Sequence, residues 1–482
     1  MAIRLFRVNV CLCLLIAGLV ALVPAGGQDK PAVDVVGTWQ GTLDLGVAKL
    51  RLVVDLKKKD GGGFTGTMDS PDQGAFELPI DEVTIEEKLV KFSMKKLGGS
   101  YEGKLNDDGK QIDGKWLQGG LSLALVLRPG EKVGPPKRPQ EPKPPFPYNE
   151  EEVNYENQVA GIKIAGTLTL PKKDGPFPAV LLITGSGPQD RNEEIMGHKP
   201  FLLWADYLTR RGVAVLRVDD RGVGGTGGKP GESTIEDHAG DALAGVDYLK
   251  TRTDIEHSKI GLMGHSEGGL VAPAAAVKSR DVAFIVLLAG TGVSGEQILY
   301  SQGKLVAKAA GASEEAVAKN LEVQKKMFAI LKENSDSTSA AERIARLVAE
   351  LKSQLTDEER KALEGKEGIA EAQSKMILTP WFRHFLTYDP KLVLEKVTCP
   401  VLAICGEMDL QVDPKLNLPP IEAALKTAGN RDVTVKELPG LNHLFQVSKT
   451  GAISEYREIE ETINWAALEV VGEWLVKRTA TK

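Results

Sequence analysis

Short runs of apolar residues alternate with turn-forming residues from residue 33 to residue 129. The runs include residues 50–54 and 121–127, and the turns between runs include residues 60–63 and 107–109. Short strands at this close spacing are typical of antiparallel sandwiches and barrels. We therefore predict a small all-β domain over residues 33–129, with seven or eight strands.

The pattern changes at residue 149, where apolar runs begin to alternate with segments of helical periodicity. The apolar runs are residues 179–184, 213–218, 259–263, 282–288, 400–405 and 433–438. The helical segments are residues 201–210, 235–251, 268–278 and 459–477. This alternation predicts a parallel sheet with helices on both faces. We expect residues 149–480 to form a doubly wound, mostly parallel α/β domain.

The α/β pattern is interrupted between about residues 293 and 396 by a stretch without strand character. Alanine, glutamate, lysine and leucine dominate this stretch, and its apolar residues recur at helical spacing in residues 313–334 and 340–354. We predict that it forms a helical cap inserted into the α/β domain.

A proline-rich segment, residues 130–148, joins the two predicted domains and contains few apolar residues. Polyproline segments remain extended and semi-rigid because the pyrrolidine ring restricts the backbone. The segment is therefore predicted to be an interdomain spacer.

The first 28 residues have the layout of a secretory signal peptide. Arg4 and Arg7 precede an apolar run that is interrupted only by Asn9, and small residues suited to cleavage follow it. The run is short for a membrane span, which takes about 20 apolar residues, so cleavage is favoured over a retained anchor. These features predict export to the periplasm or the cell exterior, with no stable membrane insertion after cleavage.

Cleavage of that peptide would leave Cys399 and Cys405 as the cysteines of the mature chain. Six positions along an extended strand separate two Cα atoms by roughly 20 Å, whereas a disulfide needs about 7 Å or less. We therefore expect two free thiols, and a fold that depends on its hydrophobic core for stability.

Charge and motif context argue against several kinds of ligand. The 482 residues carry a formal net charge of −6, which gives no basic surface for nucleic acid. Residues 222–227 match G-x-G-x-x-G, but Lys229-Pro230 follows where a dinucleotide site needs a helix to begin. His238 and Asp241 lie about one turn apart on a predicted helix, and surface exposure or packing explains them more simply than a metal. We expect no cofactor and no metal site.

The candidate nucleophile is Ser266, in Gly264-His265-Ser266-Glu267-Gly268. The pattern G-x-S-x-G is weak by itself, but here it directly follows a predicted strand and directly precedes a predicted helix. A nucleophile elbow needs that strand–turn–helix context, because a sharp turn exposes the serine and close packing admits only small neighbours.

A serine hydroxyl needs a base within hydrogen-bond reach, and the base needs an orienting acid. In an elbow fold these follow the serine in the order acid, then histidine. His443 lies in the loop after the last predicted strand, so we assign it as the base. The acid should follow the preceding strand, where Asp409 is the first choice and Asp413 and Glu407 are the competitors.

The oxyanion of the reaction needs two N–H donors, each contributing roughly 3–4 kcal/mol of transition-state stabilisation. One should be the backbone N–H of Glu267, next to the nucleophile. The other should come from the glycine-rich loop after residues 179–184, where we choose Ser186 with Gly187 in reserve.

Three aromatic residues near the end of the predicted cap, Trp381, Phe382 and Phe385, are candidates for the substrate pocket. They would line the site of the acyl group. Packing within the cap explains them equally well, and the sequence leaves both interpretations open.

Residues 149–480 resemble the α/β-hydrolase superfamily, and more narrowly the secreted bacterial esterases described as serine aminopeptidase-like hydrolases. The resemblance is carried by residues 184–191, the glycine-rich residues 219–224 and the three candidate residues Ser266, Asp409 and His443. It implies hydrolysis of small-molecule carboxylic esters through an acyl-enzyme. Many relatives have His-Gly where this chain has Thr184-Gly185, so support of the oxyanion loop is expected to differ.

Two other functions remain open at this point. An exported aminopeptidase would use the same triad and would need an acidic pocket for the substrate amine. A binding protein with an inert hydrolase domain is the third reading, and the complete triad argues against it.

The role of the all-β domain is not determined by the sequence. Its opening strand, residues 37–41, resembles the first strand of small lipocalin-like barrels. One option is that the domain contacts a polysaccharide, for which Trp39 and Trp116 are the available tryptophans. The other options are that it contacts the cap or that it only adds bulk to the protein. We expect residues 149–482 by themselves to retain catalysis.

Overall fold

The structure is a computed structural model that describes residues 35–45, 49–73, 75–132, 134, 137–334, 336–354 and 374–479. The predicted signal peptide, residues 1–28, lies outside the described residues, as does part of the predicted cap, residues 355–373. The chain divides into two compact units. The first comprises residues 1–136 with 341–375, and the second comprises residues 137–340 with 376–482.

The first sheet contains nine strands among the described residues, each antiparallel to its neighbours. They are β1 (Gly37–Asp44), β2 (Lys49–Lys58), β3 (Phe64–Ser70), β4 (Ala75–Pro79), β5 (Glu82–Glu86), β6 (Leu89–Met94), β7 (Gly99–Leu105), β8 (Ile112–Gln118) and β9 (Leu121–Pro129). The spatial order is β4-β3-β2-β1-β9-β8-β7-β6-β5. The predicted seven or eight strands were too few, because only Ile80 and Asp81 separate β4 from β5 and no glycine marks the break.

Backbone hydrogen bonds from those two residues join the ends of this sheet. The Ile80 N–H donates to the carbonyl of Gly66 in β3 at 3.1 Å, and the Asp81 N–H donates to the carbonyl of Ser93 in β6 at 3.0 Å. The sheet therefore curls into a barrel, as its resemblance to lipocalin-like barrels led us to expect.

Side chains fill the interior of the barrel. Tyr101 is 1% exposed, and its hydroxyl donates to the carbonyls of Ile112 and Leu125, each at 3.2 Å. Gly103 and Gly114 make room for this ring, because a Cβ at either position would overlap it. The barrel is thus a packed core, with the tyrosine hydroxyl satisfied inside it.

Both tryptophans that a sugar-binding surface would have used belong to this core. Trp39 is 4% exposed and Trp116 is 3% exposed. The Trp39 indole donates to the carbonyl of Val35 at 2.9 Å. The suggested carbohydrate contact therefore lacks an exposed tryptophan platform.

The second half of the proline-rich segment is bound to the α/β unit and does not act as a free spacer. The Arg138 guanidinium donates to four backbone carbonyls of that unit, those of Met196, Gly197, Arg457 and Ile459. The Gln140 side chain accepts from the N–H groups of Thr462 and Ile463 and donates to the carbonyl of Ile463. We call residues 137–148 the strap.

The second sheet is the predicted doubly wound sheet, with eight strands in the described part of the chain. They are β10 (Tyr148–Asn157), β11 (Ile162–Pro171), β12 (Phe177–Ile183), β13 (Ala214–Val218), β14 (Ile255–His265), β15 (Phe284–Leu288), β16 (Val401–Gly406) and β17 (Val433–Leu438). The order is β10-β11-β13-β12-β14-β15-β16-β17, and the six strands from β13 to β17 in this order are parallel. The antiparallel pair β10 and β11 was missed, because β10 is rich in glutamate and asparagine.

Along the chain, helices alternate with these strands and occupy the described part of the segment that was predicted to be the cap. They are α1 (Pro200–Thr209), α2 (Ile235–Lys250), α3 (Gly268–Ala276), α4 (Gly295–Ala309), α5 (Glu314–Glu333), α6 (Ser337–Ser353), α7 (Pro380–Thr387), α8 (Lys391–Leu394), α9 (Pro414–Thr427) and α10 (Trp465–Thr479). The last helix was predicted to begin at residue 459. It begins later because the Asn464 side chain caps it, accepting from the Ala466 N–H at 2.9 Å.

In the described part of the chain, no helix combines the length and the apolar character that crossing a membrane requires.

Candidate active site

The loops that carry the predicted site residues leave the same edge of the second sheet. Ser266 follows β14, Asp409 follows β16, and His443 lies in the loop after β17. Because these strands are parallel, their carboxyl ends meet at one edge, which is where α/β sheets bind ligands. The fold therefore gathers residues that are up to 177 positions apart in the chain.

Ser266 lies in the tight turn between β14 and α3 with a φ of 53°, which a residue with a side chain rarely adopts. Its N–H donates to the carbonyl of Leu288 at 2.8 Å. A Cβ at Gly264 would overlap the backbone of Gly268, and a Cβ at Gly268 would overlap the carbonyl of Ile183. Both glycines are thus needed for the close packing that keeps the serine in this turn.

Asp409 and His443 form a buried pair. The Nδ1 atom of His443 lies 2.7 Å from Oδ2 of Asp409, and the two residues are 5% and 2% exposed. The other carboxylate oxygen, Oδ1, accepts from the backbone N–H groups of Gln411 and Val412, each at 2.8 Å. These bonds hold the carboxylate in one orientation and hold His443 through it.

The two competitors of Asp409 are used elsewhere. Asp413 caps α9, where its side chain accepts from the Lys415 N–H at 2.9 Å. Glu407 accepts from the Gly440 N–H at 2.9 Å. Of the three acids proposed from the sequence, the structure brings Asp409 to the histidine.

The His443 ring lies beside the serine turn. It is 4.8 Å, between ring centroids, from the ring of His265, the residue that precedes Ser266. The Ser266 hydroxyl makes no hydrogen bond to another described residue. Bonds between nucleophile and base are often long before a substrate binds, so this arrangement is compatible with a serine–histidine pair.

The three predicted oxyanion donors lie on the two sides of Ser266. Glu267 is the first residue after the serine, and Ser186 and Gly187 lie in the loop after β12. That loop is close to the nucleophile, because a Cβ at Gly185 would lie 3.2 Å from the Cβ of Ser266. The backbone N–H groups of Glu267, Ser186 and Gly187 have no acceptor among the described residues, so they are available to a ligand.

Acidic side chains support the loop after β12, in place of the histidine that many relatives have. The Thr184 hydroxyl donates to Oδ1 of Asp220 at 2.7 Å, and the Gln189 N–H donates to Oδ2 of the same residue at 2.8 Å. Desolvation raises the pKa of Asp220 to about 8, and the nearby carboxylates of Glu193 and Glu267 act in the same direction. The carboxyl groups of Asp220, Glu193 and Glu267 therefore lie near one another beside the nucleophile turn.

The aromatic residues proposed for the pocket occupy different places. The Trp381 indole donates to Oε1 of Glu267 at 2.7 Å, so α7 of the cap contacts the residue next to the nucleophile. Phe385 stacks on Trp381 with 5.7 Å between ring centroids. Phe382 is 1% exposed and packs on Phe328 of α5, within the cap. Trp381 thus reaches the site, whereas Phe382 packs inside the cap.

The other motifs singled out in the sequence have structural roles in loops near the sheet. Residues 222–227 form a turn in which the Gly222 N–H donates to the Gly227 carbonyl, and α2 begins only at Ile235. Asp241 binds Arg221 at 2.6 Å and Asn157 at 2.6 Å. Within the described residues, no group of three or more histidine, cysteine or acidic side chains is arranged to hold a metal.

Cys399 and Cys405, the cysteines in the described part of the chain, are free, as expected. Cys405 lies in β16 and is buried, and its Sγ is 3.5 Å from Oδ2 of Asp409. Cys399 lies just before that strand. The buried thiol therefore belongs to the surroundings of the Asp409–His443 pair.

The family comparison decides the class of the protein. A family model described as "Serine aminopeptidase, S33" matches residues 200–447, just over half of the chain. The chain belongs to this family. It is an α/β hydrolase, as the strand order and the serine turn indicate, and the matched residues contain Ser266, Asp409 and His443.

Characterised relatives of this hydrolase are described as esterases. Esterase EstD of Thermotoga maritima is 27% identical over 333 residues, which span 68% of this chain and 69% of that protein. Esterase FrsA of Escherichia fergusonii is 30% identical over 115 residues, 23% of this chain and 25% of that protein. The solved structure of a Pyrococcus furiosus esterase, Pf2001, covers 73% of this chain at 18% identity with a TM-score of 0.41. A structural similarity at this TM-score supports no conclusion about the fold beyond what the strand order already shows.

Sequence reasoning missed two residues beside the nucleophile of this hydrolase, Glu193 and His265. His265 was part of the elbow motif, but its side chain was given no role. Glu193 follows the oxyanion loop in the acidic run 190–194, where the sequence does not show which acid turns inward. The structure buries Glu193 and leaves Glu194 exposed.

Proposed function

We propose that this hydrolase cleaves small-molecule carboxylic esters through an acyl-enzyme, with Ser266 as nucleophile, His443 as base and Asp409 as orienting acid. The observation that carries the proposal is the buried 2.7 Å contact between His443 and Asp409, beside a serine with a φ of 53°. The serine–acid–histidine order along the chain is that of α/β hydrolases.

In this mechanism, Oγ of Ser266 attacks the ester carbonyl carbon while Nε2 of His443 takes the hydroxyl proton. His443 presents Nε2 because its Nδ1 is engaged by Asp409. The carbonyl π bond breaks to form a tetrahedral oxyanion. As this intermediate collapses, the C–O bond to the alcohol breaks and His443 returns the proton to the departing alcohol oxygen. Water then repeats the sequence on the acyl-enzyme and releases the acid.

The oxyanion would be held by the backbone N–H of Glu267 and by that of Ser186 or Gly187. Their positions on either side of Ser266 support this assignment, as does the lack of any acceptor for them among the described residues. The Gly185 N–H is not available for this role, because it donates to Oε1 of Glu193 at 2.7 Å. Ser186 is therefore preferred as the first donor of the loop.

An aminopeptidase is the second candidate, and the description of the family favours it. A peptidase of this kind needs a carboxylate that meets the substrate amine. Glu267 is the acid adjacent to the nucleophile, but its Oε1 accepts from Trp381, and its Oε2 is buried without a hydrogen-bond partner among the described residues. Ester hydrolysis requires no such contact, and this difference supports the esterase assignment.

We also propose that the enzyme is exported, on the strength of the N-terminal sequence alone. The charged start, the apolar run and the small residues before residue 28 support the proposal. Fractionation of producing cells, with determination of the N-terminus of the mature protein, would test it.

The function is tested with purified protein on a panel of acetyl to octanoyl nitrophenyl esters beside aminoacyl nitroanilides. We expect ester turnover that disappears in Ser266→Ala and persists in the matched control Ser258→Ala, an exposed serine on β14, the strand that precedes the nucleophile turn. Turnover of anilides alone would move the assignment to an aminopeptidase. Full ester turnover by Ser266→Ala would refute the nucleophile.

A further inference from the structure

A buried histidine–glutamate pair that the proposed chemistry does not use lies directly behind Ser266. Nδ1 of His265 is 2.9 Å from Oε1 of Glu193. His265 is 7% exposed and Glu193 is 3% exposed. Neither side chain is accessible enough to meet a substrate, so a role for them must act through other groups.

The pair contacts all three loops that form the site. Oε1 of Glu193 also accepts the N–H of Gly185, at the start of the oxyanion loop, at 2.7 Å. His265 is the chain neighbour of Ser266. Nε2 of His265 lies 3.1 Å from the backbone carbonyl of His443. The oxyanion loop, the nucleophile turn and the base loop are therefore joined by one pair of side chains.

Hydrogen bonding determines the charge of the pair. A carbonyl can only accept, so Nε2 of His265 must carry a proton to bond to His443. Oε1 of Glu193 already accepts from the Gly185 N–H, so the same oxygen is placed to accept from Nδ1–H as well. Both ring nitrogens then carry protons, and the pair is an imidazolium and a carboxylate.

The surrounding charges agree with this state. Burial by itself would lower the pKa of His265, but the Glu193 carboxylate, the His443 carbonyl and the charge of Asp409 together raise it above the ordinary value of 6.5. The carboxyl group of Asp220 is coupled to that of Glu193 and to that of Glu267. Oε2 of Glu193 is buried without a partner among the described residues, so the hydrogen bonds of this side chain are made at Oε1.

The backbone of Glu193 is consistent with a specific requirement for its side chain. Its φ is 51°, in the left-handed region that residues with side chains rarely occupy. Strained backbone of this kind persists where surrounding contacts impose it, and it concentrates at functional sites.

We propose that Glu193 and His265 form a charged, non-reacting pair that positions the oxyanion loop and the His443 loop around Ser266. The proposal rests on the proposed function, because it assigns positioning residues to that reaction. It makes the geometry of the site depend on a pair distinct from the one between Asp409 and His443.

Glu193→Gln tests the pair, because it retains an oxygen for the Gly185 N–H but removes the negative charge that holds the imidazolium. We expect kcat for the preferred ester to fall about 10- to 100-fold, the scale at which small misplacements of reacting groups act, with KM unchanged. The matched control is Glu194→Gln at the adjacent exposed position, which should retain the wild-type kcat. A wild-type kcat in Glu193→Gln would overturn the proposal.

A second measurement does not depend on turnover. In protein labelled with ¹⁵N-histidine, the His265 ring, assigned by difference with His265→Gln, should show two protonated nitrogens at pH 7.5. A neutral His265 ring in the wild-type protein at that pH would overturn the proposal even if Glu193→Gln fails to fold. If no ester is hydrolysed but the His265 ring is doubly protonated, the proposed function fails and the charged pair remains. The rate at which a fluorophosphonate labels Ser266 then replaces kcat as the readout. A labelling rate in Glu193→Gln equal to that of the wild-type protein would overturn the positioning role of the pair.

Discussion

At the scale of single residues, the site combines a strained serine with carboxyl groups in two different surroundings. Asp409 receives two backbone N–H groups and the histidine, and these contacts hold it in one orientation. Asp220 has its pKa raised to about 8 by desolvation, so it retains its proton at neutral pH. The two acids therefore differ in their hydrogen-bond partners, since Asp409 orients a histidine and Asp220 supports the loop after β12.

Asp409→Asn should reduce kcat on the ester panel by about 10⁴-fold, because an amide cannot hold the histidine in the tautomer that accepts the serine proton. Steady-state kinetics measure the effect. Asp413→Asn is the control, since that residue caps α9 and should affect stability rather than kcat. Equal losses in the two variants would contradict the assignment of the acid.

Asp220 should make the protein less stable as the pH rises from about 4 to 8. The unfolded chain releases this proton near the ordinary pKa of 3.8, whereas the folded protein holds it until about pH 8. The stabilisation is therefore complete below the unfolded value and is lost as the pH rises through the folded value. Asp220→Asn should flatten this part of a plot of melting temperature against pH. An unchanged slope would show that Asp220 ionises normally.

At the scale of elements, α7 links the cap to the catalytic edge of the sheet. Its first turn contains Trp381, whose indole reaches Glu267, and its backbone is tied to the loop before α2, because the Trp381 N–H donates to the carbonyl of Gly231. His384, on the same helix, lies 2.7 Å from Glu236 of α2. The cap segment nearest the nucleophile is therefore fixed by polar contacts as well as by aromatic packing.

Trp381→Phe keeps the ring of this helix but removes the N–H, and it leaves both oxygens of Glu267 without a partner. We expect stability to fall by about 1–3 kcal/mol, the usual cost of leaving a buried polar group unsatisfied, and kcat/KM to fall with it because the residue after Ser266 is less well held. Urea unfolding and ester kinetics measure the two effects. Trp465→Phe, at an exposed tryptophan, should change neither, and a matching loss there would indicate a general effect of removing an indole.

At the scale of the whole molecule, the boundary of the hydrolase unit lies before the first strand of its sheet. The second unit begins at residue 137, and the strap belongs to it through Arg138 and Gln140. The interdomain spacer is therefore shorter than the residues 130–148 that the proline content predicted, because the strap belongs to the second unit. Proline in the strap limits the conformations of the unfolded chain, so docking it costs less entropy than docking a flexible segment.

Truncation should locate this boundary. A chain of residues 137–482 should fold and retain ester turnover. The shorter chain of residues 149–482, which the sequence analysis expected to suffice for catalysis, should unfold at a lower temperature. The reason is that the loops at residues 196–197 and 457–463 lose their contacts with the strap. The melting temperatures and ester kinetics of the two truncated chains measure this effect. The ester kinetics of Arg138→Ala in the full chain are measured beside them. Equal melting temperatures for the two truncated chains would contradict it.

The sequence by itself determined the α/β architecture, the position of the serine turn and the three candidate residues Ser266, Asp409 and His443. It could do so because these features depend on the order of strands and on which loop follows each strand, and parallel strands bring their carboxyl ends to one edge. The antiparallel pair β10 and β11 escaped prediction because β10 is rich in glutamate and asparagine. The ninth barrel strand escaped because no glycine marks the break between β4 and β5.

Only the tertiary structure decided which side chains support that edge. His265 and Glu193 are 72 positions apart, Trp381 and Glu267 are 114 apart, and Arg138 meets the carbonyl of Arg457 across 319 positions. Nothing local marks such pairs, because each depends on loops whose directions are set by packing. The sequence therefore indicated the candidate catalytic residues. The side chains that hold those residues in position could be identified only from the tertiary structure, in which the loops pack against one another.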